Sequence, residues 1–209
     1  VTLESGRWQL FADQEVVEAI PVWERPVPRF EDFFSDDEFQ RLGLEEAVPA
    51  LAWSHEMTFI DGPVRTGAEA AAWVELGVSD RITLNPYEML QRSLDQWRRV
   101  VLHELSHIAT PSFGKDDPPT GHDFAFAAVF ASCQVKIGLA PLLRPYDLSD
   151  VPAADRAVMR VRAETLGQRF GASDIDIFEI ARQISRIETV AEQRGWDKAM
   201  RPPRRFWLF

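Results

Sequence analysis

Arg98-Arg99-Val100-Val101-Leu102-His103-Glu104-Leu105-Ser106-His107-Ile108-Ala109 holds a His-Glu-x-x-His motif inside a run that reads as helix. Positions four apart lie on one helix face, so His103 and His107 can aim both imidazoles at one ion. Glu104 is turned about 100° from His103 around the helix axis. It is poorly placed to bind the same ion but can reach a water bound there. Two neutral imidazoles as ligands with a carboxylate as general base is the zinc-hydrolase arrangement. The flanks sharpen the signal. Val100, Val101, Leu102 and Leu105 predict a buried helix, where two histidines and a glutamate are costly unless something satisfies them. A surface helix with solvated His and Glu does not fit those flanks.

Such a site needs a third protein ligand and an open fourth position. The chain has 4 histidines: His55, His103, His107 and His122. Between His107 and His122 lies Thr110-Pro111-Ser112-Phe113-Gly114-Lys115-Asp116-Asp117-Pro118-Pro119, a loop by composition. A second helix then starts near His122. That path can bring His122 to the metal from outside the first helix. Asp123 is a reserve ligand, or an acceptor for a ligand's second ring nitrogen. The metzincin spacing does not apply, because Thr110 and Phe113 stand where that pattern wants Gly and His.

His103-Glu104-Leu105-Ser106-His107, followed after a loop by Gly121-His122-Asp123-Phe124, resembles the SprT-like and related minimal zincins. More narrowly, the outline is similar to small actinobacterial metallohydrolases: a strand ending in Pro, a helix carrying the motif, and a late third His. Ile82-Thr83-Leu84-Asn85-Pro86 and Val100 to His107 follow that outline. Asp123 departs from it, since the family favours Gly there. The resemblance covers roughly residues 55 to 137. It implies an α+β, minimal zincin-like domain, with a small mixed or antiparallel sheet packed on the motif helix. It further implies Zn²⁺ on His103, His107 and His122, Glu104 as catalytic base, and a peptide or protein substrate lying along a cleft strand. Residues around Ala71 to Val74, or Ile82 to Leu84, are the candidates for that strand.

The remaining sequence sets limits. At 209 residues, 45% hydrophobic and 27% charged, the chain can bury a sizeable core. A net charge of −10 argues against general affinity for nucleic acid. A single cysteine excludes an intrachain disulfide and suits a reducing, cytoplasmic setting. No apolar run approaches the ~18 residues of a membrane span, and no signal-peptide pattern is found.

In chain order, residues 1 to 20 read as strand to Phe11 and helix after Asp13. Ser35 caps a helix from Asp36 to about Ala47, whose acidic start reads as solvated. Leu51, Trp53, His55, Met57 and Phe59 alternate as one inward strand face, and His55 reads as a core or edge residue. Ala68 to Leu76 holds good helix formers, but the turn-like Gly77-Val78-Ser79-Asp80, together with the outline that the resemblance implies, favours a β-hairpin over 70–76 and 81–85. Asn85-Pro86 starts the motif helix, whose apolar face runs Leu90, Leu94, Trp97, Val101 and Leu105. Cys133 reads as core on the next helix, which stops near Gly138. Tyr87 and Tyr146 are the only tyrosines available to steady an oxyanion, and packing is the ordinary role of either.

Domain organisation is expected as 1–150, the metallohydrolase domain, and 151–209, a helical C-terminal extension with a basic-aromatic tail. In that extension a helix over 153–170 ends at Gly171-Ala172-Ser173. Ser173 or Asp174 then caps a helix with an Ile177, Ile180, Ile184, Ile187 and Ala191 seam. That seam packs within the chain or pairs with a partner, a homodimer being possible through residues 174–191. Two alternatives to a peptidase stand. One is a hydrolase of non-peptide amides or esters. The other is a non-enzymatic zinc-containing binding or regulatory module.

Overall fold

A computed structural model describes residues 2–4, 7–9, 26–44, 49–53, 72–74, 81–85, 89, 92–110 and 121–201. The described chain is mixed α+β and mostly helical. Strands β1 (Thr2–Glu4) and β2 (Arg7–Gln9) form an antiparallel pair. Helix α1 (Asp36–Leu42) follows. Strands β3 (Ala50–Trp53), β4 (Ala72–Val74) and β5 (Arg81–Leu84) make a three-stranded sheet in the order β3-β5-β4. Helices α2 (Leu94–Ala109), α3 (Phe124–Lys136), α4 (Arg156–Gly171), α5 (Ile177–Arg194) and the short α6 (Trp196–Ala199) complete the order.

The hairpin expected over 70–76 and 81–85 is present as β4 and β5, antiparallel with Ala72 opposite Leu84. β5 also pairs with β3, in parallel, with Leu51 opposite Ile82. The alternation of Arg81-Ile82-Thr83-Leu84 explains its inner position: Ile82 and Leu84 are fully buried while Arg81 faces out. β4 and β5 lie against α2, so the sheet backs the motif helix.

α3 is the centre of the molecule. Phe124 through Gln134 are all buried. A helix apolar on every side must be wrapped on every side, and α2, α4 and α5 do so. α4 approaches closest, because Gly167 and Gly171 face α3 without side chains. A Cβ built on Gly167 would stand 2.4 Å from Ala131 Cβ and 2.9 Å from its backbone carbon. On Gly171 it would stand 2.4 Å from Val135 Cβ. Ile177, Ile180 and Ile184 of the α5 seam are buried in this same core, with Ile187 packed at its margin. Cys133 is core as expected, and burial pushes its thiol up to about 12. Lys136 is buried too and donates from Nζ to the Ser173 carbonyl at 2.9 Å, just past the end of α4.

Several boundaries differ from the sequence reading. α2 begins at Leu94, not at Pro86. Ser93 accepts from the Gln96 amide, and the Gln96 side chain accepts from the Ser93 amide at 2.8 Å. That capping box is the local start of α2. α1 ends at Leu42, short of Ala47. Gly43 takes φ +74°, and its amide and that of Leu44 donate back into the helix. Gly43 also leaves room for α5, since a Cβ there would stand 2.3 Å from Asp176 Cβ. α5 is capped by Asp176, which accepts from the Glu179 amide at 2.7 Å. Ser173 instead donates to the Phe170 carbonyl at 2.6 Å and closes α4. The acidic start of α1 is not simply solvated. Glu38 forms a part-buried ion pair with Arg98 of α2, and the Arg98 guanidinium lies over the Phe34 ring. The readings made on residues 10–25, His55 to Phe59, Tyr87, Leu90, the 111–120 loop and the 202–209 tail lie outside the described residues.

The α3–α4 approach makes Gly167 sensitive. In Gly167→Ala, the gain in helix propensity of about 1 kcal/mol is outweighed by overpacking, for a net loss of about 1–2 kcal/mol. A urea melt should show a lower midpoint than wild type, and an unchanged or higher midpoint would mean that the two helices lie farther apart.

Candidate metal centre

α2 carries His103 and His107 one turn apart on the face turned toward the start of α3. Gly121, at φ +72°, turns the chain so that His122 arrives from outside α2, one residue before the helix cap. Asp123 is that cap: its Oδ1 accepts from the Phe126 amide at 2.8 Å. The expected third histidine is therefore brought in, and Asp123 is engaged with its own helix. Burial raises the Asp123 pKa, and its backbone hydrogen bonds oppose the rise.

The three imidazoles meet through their Nε2 atoms. His122 Nε2 lies 3.0 Å from His103 Nε2 and 3.2 Å from His107 Nε2. Hydrogen bonding does not account for both contacts. A ring nitrogen holds one proton or one lone pair, so His122 Nε2 can make only one well-formed hydrogen bond, as donor or as acceptor. Three lone pairs aimed at one point are what a cation would satisfy. Tetrahedral zinc with Zn–N of about 2.0–2.1 Å sets ligand nitrogens about 3.3 Å apart, close to the spacings seen. The donor set of three imidazoles also suits that ion. Among the described residues, these three are the only His, Cys, Asp or Glu side chains grouped tightly enough to hold a metal.

The surroundings are apolar. His107 and His122 are buried, with exposures of 7% and 2%. Phe126 forms the floor: its ring stacks on His107 at 4.3 Å between centroids and lies 4.8 Å from His103 and 4.9 Å from His122. Burial, then the neighbouring His103, holds the His107 pKa far below the usual imidazole range. The same causes bring His122 down to about 4, against the pull of Asp147 and Asp150. Both rings are thus neutral near pH 7, the form a metal requires.

Glu104 is buried beside this cluster at 6% exposure. Desolvation raises its carboxyl to about 7, only partly offset by His103. A carboxyl poised near neutrality is what a general base needs.

The segment between α3 and α4 supplies the outer support. The 3-10 turn Pro145–Leu148 places Asp147 Oδ1 3.3 Å from His103 Nδ1. Ser149 Oγ lies 3.4 Å from His122 Nδ1. The His122 amide donates to Asp150 Oδ2 at 3.0 Å, and the Asp150 amide donates to the His122 carbonyl at 3.2 Å. Arg156 of α4 donates to the Val151 and Ser149 carbonyls at 2.8 Å each, which fixes this segment to the C-terminal helices. The exposed Tyr146 ring lies 4.1 Å from the His122 ring and parallel to that of His103 at 5.9 Å. Asp147, Ser149, Asp150 and Phe126 were not singled out from sequence. Only Asp147, three residues after Arg144 across a Pro145 turn start, carried a local signal, and that signal was for capping.

Compared with protein-family models, with curated proteins and with solved structures, the chain matches none. The likeness to minimal zincins rests on the motif residues alone.

The buried Glu104 carboxyl gives a pH test in chelator-treated protein. Its folded pKa is raised above the unfolded value. Its burial therefore costs nothing well below pH 4.5, costs progressively more up to about 7, and costs fully above that. Glu104→Gln removes this cost, so the variant should be stabilised relative to wild type at pH 8.5 by up to roughly 3 kcal/mol, and much less at pH 5. Thermal melts of both proteins at both pH values read this out. An equal difference at the two pH values would contradict the assignment.

Proposed function

We propose that this chain is a zinc-dependent hydrolase of the minimal-zincin kind, a metallopeptidase with His103, His107 and His122 as ligands and Glu104 as general base. The observation that carries the reading is the convergence of the three Nε2 atoms within 3.2 Å contacts, with a buried carboxyl next to His103 on the same helix.

When bound, zinc would acidify a water molecule toward a pKa of about 7 and polarise the substrate carbonyl. Glu104 would accept the proton of the attacking water and return it to the leaving amine. The apolar floor of Phe126 and Phe130 beside His103 keeps the rings of the site dry on one side. Tyr146, exposed above the His103 and His122 rings, is the candidate for substrate contact.

A peptide substrate is favoured by the sheet. β5 is paired on both sides, whereas β4 has one unpaired edge among the described residues. Of the two strands considered from sequence, β4 is therefore the one that could take an extended chain as an added strand. A non-enzymatic zinc module fits less well. Such sites are usually closed by four protein ligands, often thiolates, and here Cys133 is buried in the core away from the three histidines. No helix among the described residues is long and apolar enough to cross a membrane.

The test is Glu104→Gln, assayed for metal content and for cleavage of an unfolded protein substrate. The variant should keep its zinc and lose at least ~100-fold in rate. Wild-type cleavage by a zinc-loaded Glu104→Gln protein would rule out this mechanism.

A further inference from the structure

We infer that Asp147 is a positioning residue for the metal centre: it holds the His103 proton on Nδ1 and so leaves the Nε2 lone pair free for the ion. This rests on the reading of the three histidines as ligands.

The three rings differ in what stands behind them. His107 Nδ1 is buried and has no hydrogen-bond partner among the described residues. Stacking on Phe126 orients that ring instead. His122 Nδ1 faces a neutral hydroxyl, that of Ser149. His103 Nδ1 faces a carboxylate, Asp147 Oδ1 at 3.3 Å. Asp147 is 3% exposed, and among the described residues His103 is its one charge partner within 4.0 Å. A buried carboxylate without a cation is costly. An imidazole bound to a divalent ion carries that missing positive charge, so ion and carboxylate stabilise each other through the ring.

The two oxygens of Asp147 divide the work. Oδ2 accepts the Arg144 amide at 2.6 Å and closes the 3-10 turn. Oδ1 is left to His103. Asp147→Asn separates these roles. The amide oxygen keeps the Arg144 hydrogen bond, because the opposite orientation would set two donors against each other. The amide NH₂ then faces His103 Nδ1 and donates to it. His103 is driven to carry its proton on Nε2, the tautomer that cannot bind the ion.

The experiment uses the full chain. Zinc affinity is measured by chelator competition for wild type, Asp147→Asn and Ser149→Ala, with thermal melts of each metal-free protein. The His103 tautomer is read from ¹⁵N–¹H correlation spectra of the metal-free forms. Asp147→Asn should melt near wild type, bind zinc ~10–100-fold more weakly, and show the His103 proton on Nε2. Ser149→Ala should show a smaller loss and the wild-type His103 tautomer. Unchanged zinc affinity in Asp147→Asn, with the proton still on Nδ1, would overturn the inference. If wild type itself binds no zinc, the metal reading fails, and the tautomer spectra still decide the Asp147–His103 relation. If Asp147→Asn does not fold, the wild-type spectrum decides, since a His103 proton on Nε2 there would overturn the proposal.

Discussion

Three imidazole nitrogens that share one point and cannot all hydrogen-bond to one another are the constraint on which this molecule turns. Two of the rings are buried, the carboxyl of Glu104 is buried beside them, and a phenylalanine ring forms the floor. Polar groups in such a place are costly unless paired. With a cation at the shared point, the arrangement becomes self-consistent. The lone pairs are used, the neutral histidines are the required form, and the carboxylates of Glu104 and Asp147 gain a nearby positive charge. Without one, the cluster would be a concentrated defect in an otherwise well-filled core.

The fold can be understood as what keeps that point in place. α3 lies at the centre because its sequence offers no polar face, and its first turn begins beside His122. Glycines at 167 and 171 let α4 sit directly on α3. Arg156 at the start of α4 then holds the Ser149–Val151 backbone, and that segment holds His122 through Asp150. On the other side, α2 is tied to α1 by the Arg98–Glu38 pair and backed by β4 and β5. The C-terminal helices, read from sequence as an extension, thus bear on the position of His122, the proposed third ligand.

The local part of the site was legible in the sequence. Helical spacing alone puts His103 and His107 on one face, and the scarcity of histidines points to His122. The burial of Cys133 and the end of α3 near Gly138 also follow from local patterns, whereas the hairpin of β4 and β5 was read from the family outline as well as from the turn. What was not legible depends on where the chain goes after it leaves an element. Asp147 meets His103 only because the segment between α3 and α4 packs against both helices beside the site, and no periodicity encodes that path. Asp123 shows the opposite error. It was weighed as a metal partner, yet a short carboxylate just before an apolar run finds the nearest backbone amide first. At the start of α2, the reciprocal cap of Ser93 and Gln96 sets the first helical residue at Leu94, a signal that the sequence reading passed over.

Metal stoichiometry tests the central claim most directly. Purified protein is stripped with chelator, supplied with zinc, desalted, and analysed by elemental mass spectrometry, with His122→Ala beside it. The account predicts about one zinc per chain in wild type and little in the variant. No retained zinc in wild type, or equal zinc in His122→Ala, would contradict it.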